Sequence, residues 1–148
     1  KNRARGRDRK IHKKSFSSMK TVFTNGCFDI LHRGHIELLK FCNTLGDRVI
    51  VAINSDESVK SIKGDNRPIN FQEDRKLILE SIKYVDSVII FEEETPYELI
   101  KSINPDIIVK GGDYNKEDVV GNDISKVVIF DYIENYSTTK TIQNISSR

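Results

Sequence analysis

Apolar residues recur along the chain in short dense runs separated by longer amphipathic stretches, and this alternation sets the elements to expect. Residues 20–24, 48–54, 87–91, 106–110 and 126–130 are rich in Val, Ile and Phe, and each predicts a strand of a sheet buried on both faces. From Gly34 to Leu45 the apolar positions Ile36, Leu38, Leu39, Phe41 and Leu45 fall largely on one helical face, and Gly46-Asp47 stops the pattern. A second helix is expected over residues 71–82, with Leu77, Ile78 and Ile82 facing inward. A third has Thr95 as N-cap, Pro96 at its first position and Leu99, Ile100 and Ile103 as its apolar face. Between the second strand and the second helix, Lys60, Lys63, Gly64, Arg67 and Pro68 read as a polar loop. A short polar helix near Lys116 and a last helix opened by Ser137-Thr138-Thr139 complete the pattern. Strand and helix alternate throughout. The expected fold is α/β, a Rossmann-like doubly wound, mainly parallel five-stranded sheet with helices on both faces and ligands beyond the C-terminal strand ends.

Composition narrows the function classes. The 37% apolar and 31% charged residues of these 148 suit one soluble domain, and the longest apolar runs are far too short to span a bilayer. Residues 1–18 carry eight Lys or Arg against Asp8 alone and contain no apolar segment of the kind a secretory signal needs, so a basic, disordered tail is expected there, followed by a domain over residues 19–148. From Met19 onward 16 basic residues stand against 21 acidic ones, so the formal net charge of +2 conceals an acidic domain. With Phe16 as the tail's only aromatic residue, nucleic acid is not the expected partner. Cys27 and Cys42 have neither zinc-site nor disulfide spacing, and reduced thiols in a cytoplasmic protein are expected.

Three clusters fall at the strand ends where this architecture places ligands. In the first, Gly26 lets the backbone approach a ligand, and His32 and His35 flank Gly34 at a helix start, where two imidazoles and the helix N-terminus suit phosphate. Lys60 and Lys63 could neutralise a triphosphate as pyrophosphate leaves, and the planar fork of Arg75 could hold a phosphate with two hydrogen bonds. The second cluster, Lys110, Gly111, Gly112, Asp113 and Tyr114, joins a flexible turn to a cation, a carboxylate and an aromatic face suited to substrate hydroxyls or a base. In the third, the hydroxyls of Ser137, Thr138 and Thr139 at a helix start make an anion site or a plain cap.

Thr24-Asn25-Gly26-Cys27-Phe28-Asp29 with His32-Arg33-Gly34-His35 resembles the signature of the cytidylyltransferase-like nucleotidyltransferase superfamily. Within it, Asn54-Ser55-Asp56, Lys60, Lys63-Gly64, Arg67-Pro68, Lys110-Gly111-Gly112-Asp113-Tyr114 and Ser137-Thr138-Thr139 resemble the adenylyltransferase domain of bacterial heptose 1-phosphate adenylyltransferases. The resemblance implies transfer of AMP from ATP to D-glycero-β-D-manno-heptose 1-phosphate, with magnesium carried by the nucleotide and a homodimeric assembly. It implies His32, His35, Lys60 and Lys63 as catalytic residues. Gly26, Cys27, Phe28, Gly34, Arg75, Ser137, Thr138 and Thr139 would contact the nucleotide, and Lys110, Gly112, Asp113 and Tyr114 the acceptor. Asp29 would either hold the acceptor or organise its loop. Residues that bind a metal directly are not identified. Glu134-Asn135-Tyr136 departs from the heptose pattern, as does a shortened segment between Gly121 and Val127, which keeps a cytidylyltransferase acting on glycerol 3-phosphate or another polyol or sugar phosphate as the alternative. An inactive nucleotide-binding scaffold is the alternative outside enzymes.

Overall fold

The computed structural model describes residues 19–112, 114–131 and 138–147. The tail at residues 1–18, Asp113 and Ser137 lie outside the described residues. Strand β1 (Thr21–Gly26) leads into helix α1 (Arg33–Leu45), then β2 (Arg48–Asn54), α2 (Asp56–Lys63), α3 (Gln72–Glu80) and β3 (Ser87–Phe91). Helix α4 (Tyr97–Ile103), β4 (Ile107–Gly111), a 3₁₀ turn (Lys116–Asp118), β5 (Lys126–Phe130) and α5 (Thr138–Ser146) follow. The five strands form one parallel sheet in the order β3-β2-β1-β4-β5. This is the doubly wound arrangement that the alternation predicts, with every strand pair parallel.

Side chains alternate across each strand, and the alternation divides the core in two. Val22, Val49, Val51, Ile53, Val88 and Val109 point to one face, where Leu39 and Cys42 of α1 and Leu79 of α3 cover them. Phe23, Ile50, Ala52, Phe91 and Ile108 point to the other, under Ile100 of α4 and Val119.

Register is set where strands begin. Asp47, Asp86 and Asp106, each one residue before a strand's first paired position, form reciprocal clamps. The amide of each donates to the carbonyl of Lys20, Val49 or Thr21 at 2.8–3.0 Å, and its carboxylate accepts from the amide of the same residue at 2.7–2.9 Å. The next residues along are the paired ones, Thr21 with Arg48, Ile50 with Ser87 and Val22 with Ile107. Gly46 allows the first clamp to close, because a Cβ there would lie 2.7 Å from Val22 and 2.8 Å from the Lys20 carbonyl.

Three local expectations change. Lys60 and Lys63 belong to α2 rather than to a loop: Ser55 caps the helix by accepting from Ser58 N, and acidic residues open it while lysines close it. With only Val59 and Ile62 apolar, so short a helix has too weak a stripe to show in the sequence. In α3 the buried residues are Arg75 and Leu79, while Leu77 is 64% exposed and Ile78 42%. The helix is rotated because Arg75 reaches inward to backbone carbonyls. Helix α4 begins at Tyr97 with Pro96 as N-cap and no side-chain cap bond, so Thr95 does not cap it.

Candidate active site

Strands β1 and β4 pair only through Val22 with Ile107 and Phe23 with Ile108. Beyond those pairs they part, and a cleft of about 490 Å³ opens between their C-terminal ends. Thr24, Asn25 and Gly26 line one side and Lys110, Gly111 and Gly112 the other. The first two sequence clusters therefore meet across the point where the winding of the sheet reverses. Thr139 of α5 also lines the cleft, as do Lys63, Tyr114 and Phe130.

The two histidines are oriented by the start of α1. His32 is its N-cap: its Nδ1 accepts from Gly34 N at 3.0 Å, and His35 Nδ1 accepts from His32 N at 3.1 Å, a reciprocal capping box made of imidazoles. A neutral ring that accepts at Nδ1 carries its proton on Nε2. Both rings line the cleft, with centroids 3.9 Å apart. Burial pushes His35 down to about 4, with the adjacent His32 adding to the shift, and burial also lowers His32. At neutral pH the pair therefore consists of uncharged N–H donors held by the backbone.

Phe28 supports this arrangement from below. It is buried, its φ is 49°, and its ring lies 5.2 Å from that of His35. A Cβ on Gly26 would sit 3.2 Å from the Phe28 ring, so the absent side chain of Gly26 makes room for the ring as well as for a ligand. Cys27 lines the cleft with its thiol 3.8 Å from Asn54 Oδ1, and burial raises its pKa against the opposing pull of Lys63 and other nearby cations. Lys110 is lowered by burial, which outweighs Cys27, and Lys63 lowers it further; its Nζ lies 5.3 Å from the centre of the Tyr114 ring. Gly112 turns at φ 101°, a conformation open to glycine, and its amide donates to Phe130 O.

The geometry bears on three residues that the sequence offers for the site. Arg75 is 1% exposed and donates to Asn70 O, Cys27 O, Asn54 O and Asp56 Oδ1 at 2.8–2.9 Å, so it ties these segments together from the interior and does not line the cleft where a nucleotide would lie. The bonds of Asp29 describe loop organisation: its carboxylate accepts from Ile69 N, Asn70 N and Arg67 Nε, and the residue also lines the cleft. Lys60 is exposed on α2 and does not line the cleft, whereas Lys63, at the end of the same helix, does. Ser137 and Asp113 lie outside the described residues, and of Thr138 the structure describes only the backbone. Sequence reasoning assigned Arg67 and Asp131 no place in the site, yet both line the cleft. Arg67 stood in view beside Pro68, but only the fold reveals that a carboxylate from β1's loop receives it.

A family model described as cytidylyltransferase-like matches residues 23–147. The bifunctional protein HldE of a Nitratiruptor species is 54% identical over 138 residues, covering 93% of this chain and 29% of that protein. The protein of the same name from Aliarcobacter butzleri is 55% identical over 127 residues, covering 85% of this chain and 27% of that one. The chain thus spans less than a third of the length of these curated relatives. Among solved structures, the lipopolysaccharide core biosynthesis protein from Thermoplasma volcanium superposes with a TM-score of 0.66 at 28% identity, covering 81% of this chain and all of that one. A pantoate-beta-alanine ligase from Francisella tularensis shares the fold at 16% identity with a TM-score of 0.58, covering 94% of this chain and 76% of that one.

Proposed function

The chain belongs to the cytidylyltransferase-like family, and from that premise we propose that it transfers AMP from ATP to D-glycero-β-D-manno-heptose 1-phosphate, giving ADP-heptose and pyrophosphate. The observation that carries the reading is the imidazole pair at the start of α1, whose Nδ1 atoms are both occupied by backbone amides in the cleft between β1 and β4. Relatives more than 50% identical over most of the chain support it further.

In the proposed reaction an oxygen of the sugar phosphate attacks the α-phosphorus of the nucleotide. A new P–O bond forms as the bond to the bridging oxygen breaks, and pyrophosphate leaves with the electron pair. Negative charge builds on the phosphate oxygens, and the Nε2–H groups of His32 and His35 donate to it without having to be protonated first. Lys63 neutralises charge on the triphosphate, while Lys110 and Tyr114 face the acceptor. Thr139, with Ser137 and Thr138 beside it in sequence, contacts the nucleotide. Magnesium enters as part of the MgATP substrate. The Asp29 carboxylate, already engaged by Arg67, Ile69 and Asn70, is unsuited to serve as its ligand.

A homodimer in the cytoplasm belongs to the same reading. The exposed apolar side chains of Phe71, Leu77 and Ile78 offer surface for a second copy, and sedimentation analysis tests it. No helix among the described residues is long and apolar enough to cross a membrane. The decisive assay is pyrophosphate release with magnesium, comparing ATP with CTP and heptose 1-phosphate with glycerol 3-phosphate. Release with ATP and heptose 1-phosphate alone is expected. Release with CTP alone would replace the substrate assignment, and silence with every pair would leave a nucleotide-binding scaffold as the better reading.

A further inference from the structure

Two arginines follow α2, and the fold treats them in opposite ways. Arg75 is enclosed, with every nitrogen of its guanidinium donating to a protein oxygen. Arg67 is also largely enclosed, its side chain 11% exposed, but it lines the cleft and only its Nε is engaged, at 2.9 Å from Asp29 Oδ2. Among the described residues no other group takes its two terminal nitrogens. Burying most of a guanidinium while leaving those N–H groups unmatched costs free energy, and an anion in the cleft would remove that cost.

The orientation of Arg67 is fixed from behind. The Asp29 side chain is fully buried and is itself held by the amides of Ile69 and Asn70, on the chain just beyond Arg67. Asn70 closes the link by donating from Nδ2 to the Asp29 carbonyl at 3.0 Å. A planar fork anchored at one edge presents its remaining donors in a set direction, which lowers the ordering cost of binding a phosphate. Lys63 and Lys110 line the same cleft with His32 and outnumber Asp131, the one carboxylate there among the described residues besides Asp29, so the surroundings favour an anion.

We propose that Arg67 is a phosphate-binding residue of this site, its terminal N–H groups holding anionic oxygens of a bound substrate, with Asp29 as its positioning residue. The proposal rests on the nucleotidyltransferase reading for the identity of the phosphate, which belongs either to the triphosphate or to the sugar phosphate. Sequence reasoning assigned this role to Arg75, and the fold transfers it to the arginine eight positions earlier.

The test uses the full chain with Arg67→Lys and Arg67→Gln, titrated calorimetrically with inorganic pyrophosphate and, separately, with inorganic phosphate, alongside the KM of each substrate. Thermal unfolding establishes that each variant is folded at the assay temperature. Arg67→Gln is expected to weaken binding of one of the two anions by about tenfold or more, and Arg67→Lys by less, since it keeps the charge but loses the fork. A loss confined to pyrophosphate with a raised nucleotide KM assigns Arg67 to the triphosphate; a loss confined to phosphate with a raised sugar phosphate KM assigns it to the acceptor. Folded variants that bind both anions within twofold of the wild type, with both KM values unchanged, would overturn the proposal and leave Arg67 as the counter-ion of Asp29. A wild-type chain that binds neither anion would overturn it as well. Should Arg67→Gln fail to fold, Arg67→Lys decides by the same criterion. Anion binding that depends on Arg67 in a protein that releases no pyrophosphate from any pair would refute the proposed reaction while sustaining the phosphate site.

Discussion

At the N-terminal end of the sheet Asp47, Asp86 and Asp106 accept from backbone amides, whereas at the C-terminal end Arg75 donates to the backbone carbonyls of Cys27 and Asn54. The difference follows from strand direction. Parallel strands enter the sheet with N–H groups that lack partners and leave it with carbonyls that lack them, and each buried group needs its complement. Carboxylates suit the first end and guanidinium the second. Satisfying the backbone in this way collects acceptors at one edge and donors at the other. Lys63, Arg67, Lys110 and the neutral histidines line the donor-rich edge, which is the edge where a phosphate can bind. At the opposite edge the three aspartates would repel it.

Replacing Arg75 by Met tests this contrast most severely. Three carbonyls and Asp56 would lose their donor in a buried setting, and urea unfolding should show a loss of about 3–5 kcal/mol. A loss no greater than that from removing one of the aspartates would contradict the special weight given to Arg75. Next in size, His35→Ala should reduce turnover about 10²-fold or more while circular dichroism still shows a folded chain. A folded variant with nearly full activity would remove His35 from the proposed reaction.

At the other edge Asp86→Ala should lower unfolding stability by about 1–2 kcal/mol and leave kcat within twofold of the wild type, because the clamp lies away from the cleft. A selective fall in kcat there would show that the two ends are not independent. The smallest effect concerns pH. The folded-state value of His35 lies below the unfolded one, so its contribution to stability is complete above pH 6.5 and is lost as pH falls toward 4. Between pH 7 and 6 the His35 share of the change should be below about 1 kcal/mol, measured as the difference in unfolding free energy between wild type and His35→Gln. An imidazole that NMR finds protonated at pH 6 would contradict the neutral donor pair.

Legibility in the sequence differed between the sheet and the site for related reasons. Strand positions were visible because a strand buried on both faces is apolar at nearly every position, a local signal that later folding cannot disguise. The histidine cluster was visible because its partners lie within four residues, Gly34 N and His32 N being reached from the same turn. The inward face of α3 is not legible in the sequence because an arginine there takes the place usually held by an aliphatic side chain, and a hydrophobic pattern places arginine outside. Lys60 and Lys63 look equivalent in the sequence and both are exposed on α2, while the fold brings the C-terminal end of that helix, with Lys63, to the cleft.

By itself the sequence determined the order of the strands and of the helices other than α2, the parallel winding and the chemistry available at each strand end, because periodicity, capping and turn residues act within a few positions of one another. Only the tertiary structure decided the use of the charged groups. Arg75 lies 48 residues from the Cys27 carbonyl it satisfies, and Arg67 lies 38 residues from Asp29. An arginine's part as internal tie or phosphate ligand depends on which oxygens the fold brings to it, and no local pattern records that.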